Sequence, residues 1–351
     1  MPEKREGTPM ENVSMPHLPV REDWLALREE APIEPARPIV DPHHHLWERP
    51  GALYLFHDLL RDVSKRNILA TIYIQCRSMH RKDGPPELAP VGEVTFAAGA
   101  AAMAESGHYG PCHVCAGIVG NADLTLGAGV ERVLDAMEAA GGGRLRGIRY
   151  PMAKSGDTAI IGSVVDPAPG LMAEPVVAEA VRKLGPRGLV LDTWSFQSQL
   201  DDLLTLVDRA PETTIVVDHV GGVMGIGSYA GRREELFPVW REKMERLAAR
   251  PNTRVKLGGL AMHSVGFGFE ARDLPPSSED LAAAWRPYIE TCIELWGVGR
   301  AMYESNFPVD KGQVSYANLW NAFFRLSSGA SEAEKDALFR RTAAETYRLQ
   351  A

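Results

Sequence analysis

Short β-branched runs alternate with amphipathic helical stretches eight times along this chain, and this alternation constrains the fold more than any other feature. Such alternation indicates repeated βα units and a parallel sheet. Eight units predict an α/β fold of the (β/α)8 TIM-barrel class, and a doubly wound open sheet is the alternative with the same local pattern. The predicted strands are Pro38–His45, Ile68–Cys76, His113–Gly120, Leu145–Pro151, Leu189–Phe196, Thr214–Gly221, Thr253–Leu260 and Ala301–Phe307.

Apolar residues at helical spacing predict helices between these strands. Residues 1–37 are polar and rich in proline, so we interpret them as an N-terminal arm with one helical patch, Trp24–Glu30, and residues 38–351 as the barrel. Phe267–Asp280 is rich in Gly, Pro and Ser and predicts a long loop after the seventh strand, on the catalytic face of a barrel. The predicted helices are Val130–Ala140, Pro175–Leu184, Gln199–Arg209, Leu236–Arg250 and Ala282–Trp296.

Composition narrows the class of protein. The 351 residues suffice for one barrel of about 250 residues plus extensions. A formal charge of −8 argues against nucleic-acid binding, and no apolar run is long enough for a membrane span. Four scattered cysteines fit a reducing compartment, so we expect a cytoplasmic protein, and helices exposed outside a barrel are compatible with a homodimer.

The segment from Asp41 to Trp47 contains three successive histidines where the first strand ends. Side chains alternate along a strand, so His43 and His45 are expected to share one face and His44 the other. Two imidazoles in this arrangement can grip a metal ion or a substrate oxygen. Three adjacent polar residues on an apolar strand rarely serve packing alone, so the pattern favours function.

This strand resembles the first metal-binding strand of the amidohydrolase superfamily. Together with Gly147–Tyr150, Val217–Gly221, Val255–Leu260 and Met302–Asp310, it is similar to the branch that contains sugar lactonases and pyrone-dicarboxylate lactonase. The resemblance covers residues 38–351 and implies a (β/α)8 barrel that hydrolyses a small ester.

The resemblance also implies ligands. His43 and His45 from strand one and His219 from strand six would bind one divalent metal, zinc or manganese, and His219 would also take part in catalysis. His219 is expected to share its strand face with Val217, with Asp218 facing the other way. A water positioned by the imidazoles without a metal is the alternative.

The last strand departs from the family pattern, which places an aspartate where this chain has Asn306. An amide has no titratable proton near neutral pH and cannot act as a general base. Glu304 has the same strand parity and is our preferred replacement, and its alternative role is a carboxylate paired with Lys256 or Arg149. Asp310 lies four residues after Asn306, at the catalytic rim, and is a second candidate that could contact the substrate.

Two further residues are candidates for the substrate pocket. Arg149 ends the fourth strand and offers a planar fork for a substrate carboxylate or a developing oxyanion, and a structural salt bridge is its alternative role. Trp194 shares a strand face with Asp192 and could wall the pocket, although packing is commoner for a strand tryptophan. The pair Cys112 and Cys115 is interpreted as structural, because residues three apart on a strand face opposite sides.

The sequence therefore predicts a lactonase that acts on a small carboxylated or sugar-like lactone. One alternative is a metal-dependent nonoxidative decarboxylase of an aromatic or unsaturated acid, which needs no attacking water and is favoured by Asn306. The other is a catalytically retired barrel that only binds a ligand, against which the three histidines count.

Overall fold

The structure, a computed structural model, describes residues 17–349. Within that range eight parallel strands form one sheet in the order in which they occur along the chain, which confirms the predicted (β/α)8 barrel. All eight lie within the predicted segments. They are β1 (Ile39–His44), β2 (Ile68–Ile74), β3 (His113–Gly120), β4 (Leu145–Arg149), β5 (Val190–Thr193), β6 (Ile215–Val217), β7 (Thr253–Leu257) and β8 (Ala301–Tyr303).

The first and last strands meet at their carboxyl ends. A bridge joins His44 to Phe307, the Asn306 backbone N–H donates to the His43 carbonyl at 2.9 Å, and the His45 N–H donates to the Phe307 carbonyl at 2.7 Å. The barrel is therefore nearly closed, and its seam lies beside the histidine segment.

Helices pack outside the barrel, and the five predicted ones are present. A two-stranded hairpin, Trp47–Arg49 with Ala52–Tyr54, follows β1. The helices are Glu22–Ala26, Phe56–Val63, Val91–Glu105, Val130–Ala140, Pro175–Arg182, Leu200–Arg209, Arg233–Ala248, Ser278–Trp296, Tyr316–Leu326, Glu332–Asp336 and Thr342–Thr346, with a kinked turn at His219–Gly222 and a π-helical turn at Ala337–Arg341.

Several predicted helix boundaries differ from the structure by one to four residues, and two of them have a visible cause or consequence. The helix expected from Ala282 begins at Ser278, because Ser277 and Asp280 form a capping box in which the Asp280 N–H donates to Ser277 Oγ at 3.1 Å and the Ser277 N–H donates to Asp280 Oδ2 at 2.9 Å. The predicted loop is correspondingly shorter. The helical patch of the arm is Glu22–Ala26 rather than Trp24–Glu30, and only Trp24 and Leu25 are buried in it.

The barrel interior has two parts. Apolar side chains from six of the strands fill its lower part, and Tyr347, from the end of the chain, packs among them from below. The upper part holds buried charged side chains, described below. Among residues 17–349, no helix is both long and apolar enough to cross a membrane.

Candidate active site

The carboxyl ends of β1, β6 and β8 bring four predicted site residues together. The His43 and His219 rings lie 4.6 Å apart, and the His43 and His45 rings 5.0 Å apart. Glu304 Oε1 lies 2.7 Å from His219 Nδ1, and Glu304 Oε2 lies 2.8 Å from His43 Nδ1. Side chains far apart in the sequence thus form one cluster, at the face where barrels place their active sites.

The strand-one histidines divide between two environments. A register shift between Asp41 and His44 interrupts the alternation of β1, after which His43 and His45 face the interior. His44 points outward and contacts Thr71 Oγ1 at 2.9 Å through its Nε2. His45 Nδ1 donates to the Ile74 carbonyl at 2.8 Å, which leaves Nε2 as an acceptor on the cavity side.

Asp218 and His219 do not face as predicted. Val216, not Val217, belongs to the apolar interior of the barrel, so Asp218 also points inward, and the prediction that it faces away from the site is wrong. His219 would point outward by alternation. Its φ of 55° turns the ring back into the cavity, and Gly259 leaves room for it, since a Cβ there would lie 2.5 Å from the ring.

Glu304 is fully buried and acts on His219 rather than on the cavity directly. Its Oε1 accepts hydrogen bonds from His219 Nδ1 at 2.7 Å and from the His219 backbone N–H at 3.2 Å. The ion-pair contacts of Glu304 among the described residues are His43 and His219, whereas Lys256, named as an alternative partner, interacts with Glu304 only through its charge. Burial lowers the pKa of His219, but the charge and hydrogen bond of Glu304, together with the charges of Asp218 and Asp310, outweigh burial, and the pKa is raised.

A buried ion cluster that the sequence did not predict supports these residues from below. Lys256 Nζ lies 2.5 Å from Asp192 Oδ2, 3.2 Å from Asp218 Oδ1 and 3.1 Å from His43 Nδ1. The Tyr347 hydroxyl donates to Asp192 at 2.9 Å. Burial and the charge of Lys256 lower the pKa of His43 well below its usual value, so this imidazole is neutral.

Arg149 connects the ion cluster to the cavity. Its Nη1 donates to His43 Nε2 at 3.2 Å, its Nη2 donates to the Gln75 carbonyl at 2.6 Å, and Asp218 Oδ2 lies 3.6 Å away. Arg149 therefore both lines the cavity, as predicted, and forms an ionic contact with Asp218, which was the alternative role.

The cavity above these groups has a volume of about 110 Å³. The charged side chains that line it are all arginines, and neither aspartate nor glutamate is among the lining residues that the structure describes. Its polar and aromatic lining comprises His17, His45, Trp47, Arg49, Gln75, Arg77, Arg149, Tyr150, Ser163, Trp194, His219, Ser264 and Asn306.

Trp194 and Asn306 lie where predicted, on the cavity wall, but Asp310 does not. The Trp194 ring packs edge-on against His219 at 5.1 Å, and its Nε1 donates to the Gly162 carbonyl at 2.7 Å. Asp310 is buried beneath Asn306, whose Nδ2 donates to it at 2.8 Å. Asp310 therefore orients the amide of Asn306 and does not itself reach the cavity.

Burial raises the pKa of Asp310 to about 7, despite the opposing charge of His219. The folded protein thus keeps a proton that the unfolded chain loses near pH 4, and this contribution to stability is lost as pH rises from about 4 to 7. We expect Asp310→Asn to remove about 4 kcal/mol of this dependence. Urea denaturation at pH 5 and pH 8 would show a flatter profile than wild type, while Asp166→Asn, at an exposed position, should keep the wild-type slope.

Sequence reasoning missed several side chains of this site. Lys256 entered only as a possible partner of Glu304, although a lone lysine between Val255 and Leu257 was a usable signal of a buried charge. His17 and Arg49 had no such signal, because nothing local shows that the arm and the hairpin meet at the cavity.

Two sets of side chains have ligand atoms within 4.8 Å of one another: His43, His219 and Glu304, and His43, Asp192 and Asp218. In the second set the Lys256 ammonium already occupies the place of a cation. In the first set, Glu304 Oε2 is buried without a hydrogen-bond partner among the described residues, since its contact with His43 is poorly oriented. The first set therefore fits a divalent ion, and the predicted ligand His45 is in neither set.

Comparisons with known proteins show the family of the chain. A model of the amidohydrolase family matches residues 40–349. The uncharacterized protein y4mH of Sinorhizobium fredii is 30% identical over 333 residues, 89% of this chain and 98% of that protein. An L-fucono-1,5-lactonase of Burkholderia multivorans is 30% identical over 236 residues, 67% of this chain and 72% of the lactonase.

A similar solved structure is that of an amidohydrolase from Burkholderia multivorans with bound zinc. It matches with a TM-score of 0.69 and 22% identity and covers 89% of this chain and 100% of its own. At that identity the likeness shows a shared fold.

Proposed function

This chain belongs to the amidohydrolase family, and we propose that it is a lactonase that opens the ring ester of a small carboxylated or sugar-like lactone. The observation that carries the proposal is the state of His219. Glu304 holds its Nδ1, and Nε2 has no partner among the described residues and lies in a cavity whose charged side chains are all arginines.

His219 is the group we assign to proton transfer. The environment raises the pKa of His219, and above that pKa the ring is neutral, with Nδ1–H donated to Glu304 and the lone pair on Nε2. A water in the cavity attacks the lactone carbonyl carbon while Nε2 takes its proton, and Glu304 stabilises the imidazolium that forms. Glu304 acts through His219 and is therefore a positioning residue.

Arg149 is assigned to the developing oxyanion. It reaches the cavity with a guanidinium held by Gln75 and His43, so its charge is oriented before the reaction begins. When the tetrahedral intermediate collapses, the bond between the carbonyl carbon and the ring oxygen breaks, and His219 returns its proton to that oxygen. The product is an open-chain hydroxy acid.

A divalent ion, if bound, would be held by His43, His219 and Glu304 and would polarise the carbonyl or the water. Zinc in a structure of the same fold supports this proposal. With the ion bound, His219 and Glu304 would be its ligands, so proton transfer at His219 Nε2 is assigned to the protein without the ion, whereas Arg149 would stabilise the developing charge in either case.

The lactone itself is supported by the L-fucono-1,5-lactonase relative and by the size of the cavity. The test is a pH-indicator assay of purified protein against sugar lactones and pyrone carboxylates. We expect acid release from at least one lactone by wild type and none above background by His219→Ala. Silence of wild type across the panel would contradict the proposal.

Metal dependence is tested on the same preparation. We expect about one zinc or manganese per chain by elemental analysis, and a loss of activity of tenfold or more after dialysis against a chelator, with recovery on adding the metal back. Full activity of protein shown to be metal-free would assign the water to the histidines alone.

Nonoxidative decarboxylation is the second candidate, and Asn306 is the observation that favours it, because that reaction needs no acceptor for a water proton. Release of carbon dioxide from an aromatic or unsaturated acid, without turnover of any lactone, would establish it. Binding without turnover of either class would indicate a retired barrel.

A further inference from the structure

The N-terminal arm reaches the mouth of the cavity, where His17 joins two residues of the hairpin. The His17 ring stacks on the Trp47 ring with 4.7 Å between ring centroids and an interplanar angle of 11°. Arg49 Cζ lies 4.4 Å from the Trp47 ring centroid. Arg49 Nη1 donates to His17 Nε2 at 3.2 Å. The Trp47 ring also stacks on the His45 ring, with 5.7 Å between centroids. His17, Trp47 and Arg49 therefore lie next to the catalytic cluster.

The arm is fixed in this position by side-chain contacts with the loop after β7. Arg21 Nη2 donates to the Glu270 carbonyl at 2.7 Å, Trp24 Nε1 to the Arg272 carbonyl at 3.0 Å, and Arg28 Nη1 to the Pro275 carbonyl at 3.0 Å. These three hydrogen bonds within one short segment fix the path of the arm. They hold the arm in the position in which His17 lines the cavity.

The positive charge at this mouth is not compensated. Arg49 binds His17 and the Cys76 carbonyl, and burial together with the charge of Arg49 lowers the pKa of His17 to about 4, so the imidazole is a neutral acceptor. Arg77 is exposed, lines the cavity and has a φ of 63°. Neither arginine has a carboxylate partner in the part of the chain that the structure describes.

A left-handed backbone at Arg77 is itself informative. For a residue with a Cβ, this backbone conformation costs about 1 kcal/mol or more of conformational free energy. Such residues are concentrated at binding sites. Two guanidinium groups with free donors, in a cavity that no carboxylate of residues 17–349 lines, form a site for an anion.

We propose that Arg49 and Arg77, with His17 from the N-terminal arm, form a subsite for an acidic group of the substrate, separate from the carbonyl that reacts at Arg149 and His219. The substrate is then a lactone with a second, free carboxylate, and the arm is part of the binding site. The choice of a lactone rests on the proposed function, whereas the anion subsite does not.

Two open-chain acids test the subsite without turnover. Gluconate carries one carboxylate, which corresponds to the opened ester, and glucarate carries a second one at its other end. By isothermal titration calorimetry we expect wild type to bind glucarate about tenfold or more tightly than gluconate. The preference should fall below about threefold in Arg77→Ala and in Arg49→Gln.

His17→Ala should reduce the same preference by about threefold, since it removes only the support of Arg49. The matched control is Arg81→Ala, an exposed arginine of the same loop that does not line the cavity, and it should keep the wild-type ratio. Arg77 is exposed, so its variant tests the subsite even if Arg49→Gln folds poorly.

Equal binding of the two acids by wild type, binding of neither at millimolar concentration, or a preference that survives Arg77→Ala would overturn the subsite. These outcomes are independent of the hydrolysis assay. A protein that opens no lactone but loses its glucarate preference in Arg77→Ala would contradict the proposed function and keep the subsite.

Discussion

With His219 replaced by asparagine, kcat on the best lactone is expected to fall by about 100- to 10,000-fold, the range that a positioned general base contributes. Asparagine can still donate to Glu304 from near the position of Nδ1, but it carries no base at the position of Nε2. The loss should therefore appear in kcat rather than in KM. Initial rates at saturating substrate measure it, and a variant that keeps a tenth of wild-type kcat would exclude His219 as the base.

Glu304→Gln separates positioning from direct catalysis. We expect a loss of about 10- to 100-fold from this variant, because the imidazolium loses its charged partner. If Glu304 acts only through His219, the double variant should be no slower than His219→Asn alone. Multiplicative losses would show that Glu304 has a separate function.

Lys256→Met is expected to lower the free energy of unfolding by about 3–5 kcal/mol, the usual cost of removing one partner from a buried ion pair. Lys256 is fully buried, and its removal leaves Asp192 without a cationic partner among the described residues and Asp218 with Arg149 alone, at 3.6 Å. Urea denaturation followed by circular dichroism measures the change.

The double variant Lys256→Met with Asp192→Asn is the matched comparison, because it removes the carboxylate that Lys256→Met alone would leave without a cationic partner. It should be more stable than Lys256→Met alone by about 1–2 kcal/mol. A loss below about 1 kcal/mol in the single variant would contradict the assigned ion cluster.

The barrel was predictable from the sequence because its signal is repeated. Each strand is a short apolar run bounded by polar residues. If one run were misassigned, the other seven would still predict a barrel. The boundary of the helix Ser278–Trp296 was missed for a local reason, since the Ser277 cap lies inside a segment whose composition is that of a loop. The capping box at Ser277 and Asp280 was visible in the sequence and would have corrected it.

The directions of the site side chains were less predictable. Strand alternation assumes regular backbone, whereas β1 carries a register shift and His219 has a positive φ. These departures turn side chains toward the cavity that alternation would direct elsewhere. The contribution of His17 depends on a contact between residues 17 and 49, which no local pattern encodes.

The seam between β1 and β8 makes catalytic competence depend on closure of the ring of strands. Backbone hydrogen bonds of His43, His45, Asn306 and Phe307 join the two ends of the sheet, and these residues belong to or flank the catalytic groups. A chain in which all eight strands are formed but the ring is open would carry every required side chain and no assembled centre. The catalytic residues therefore lie at the seam that closes the barrel. Local opening of this seam would stop turnover while the rest of the barrel stays folded.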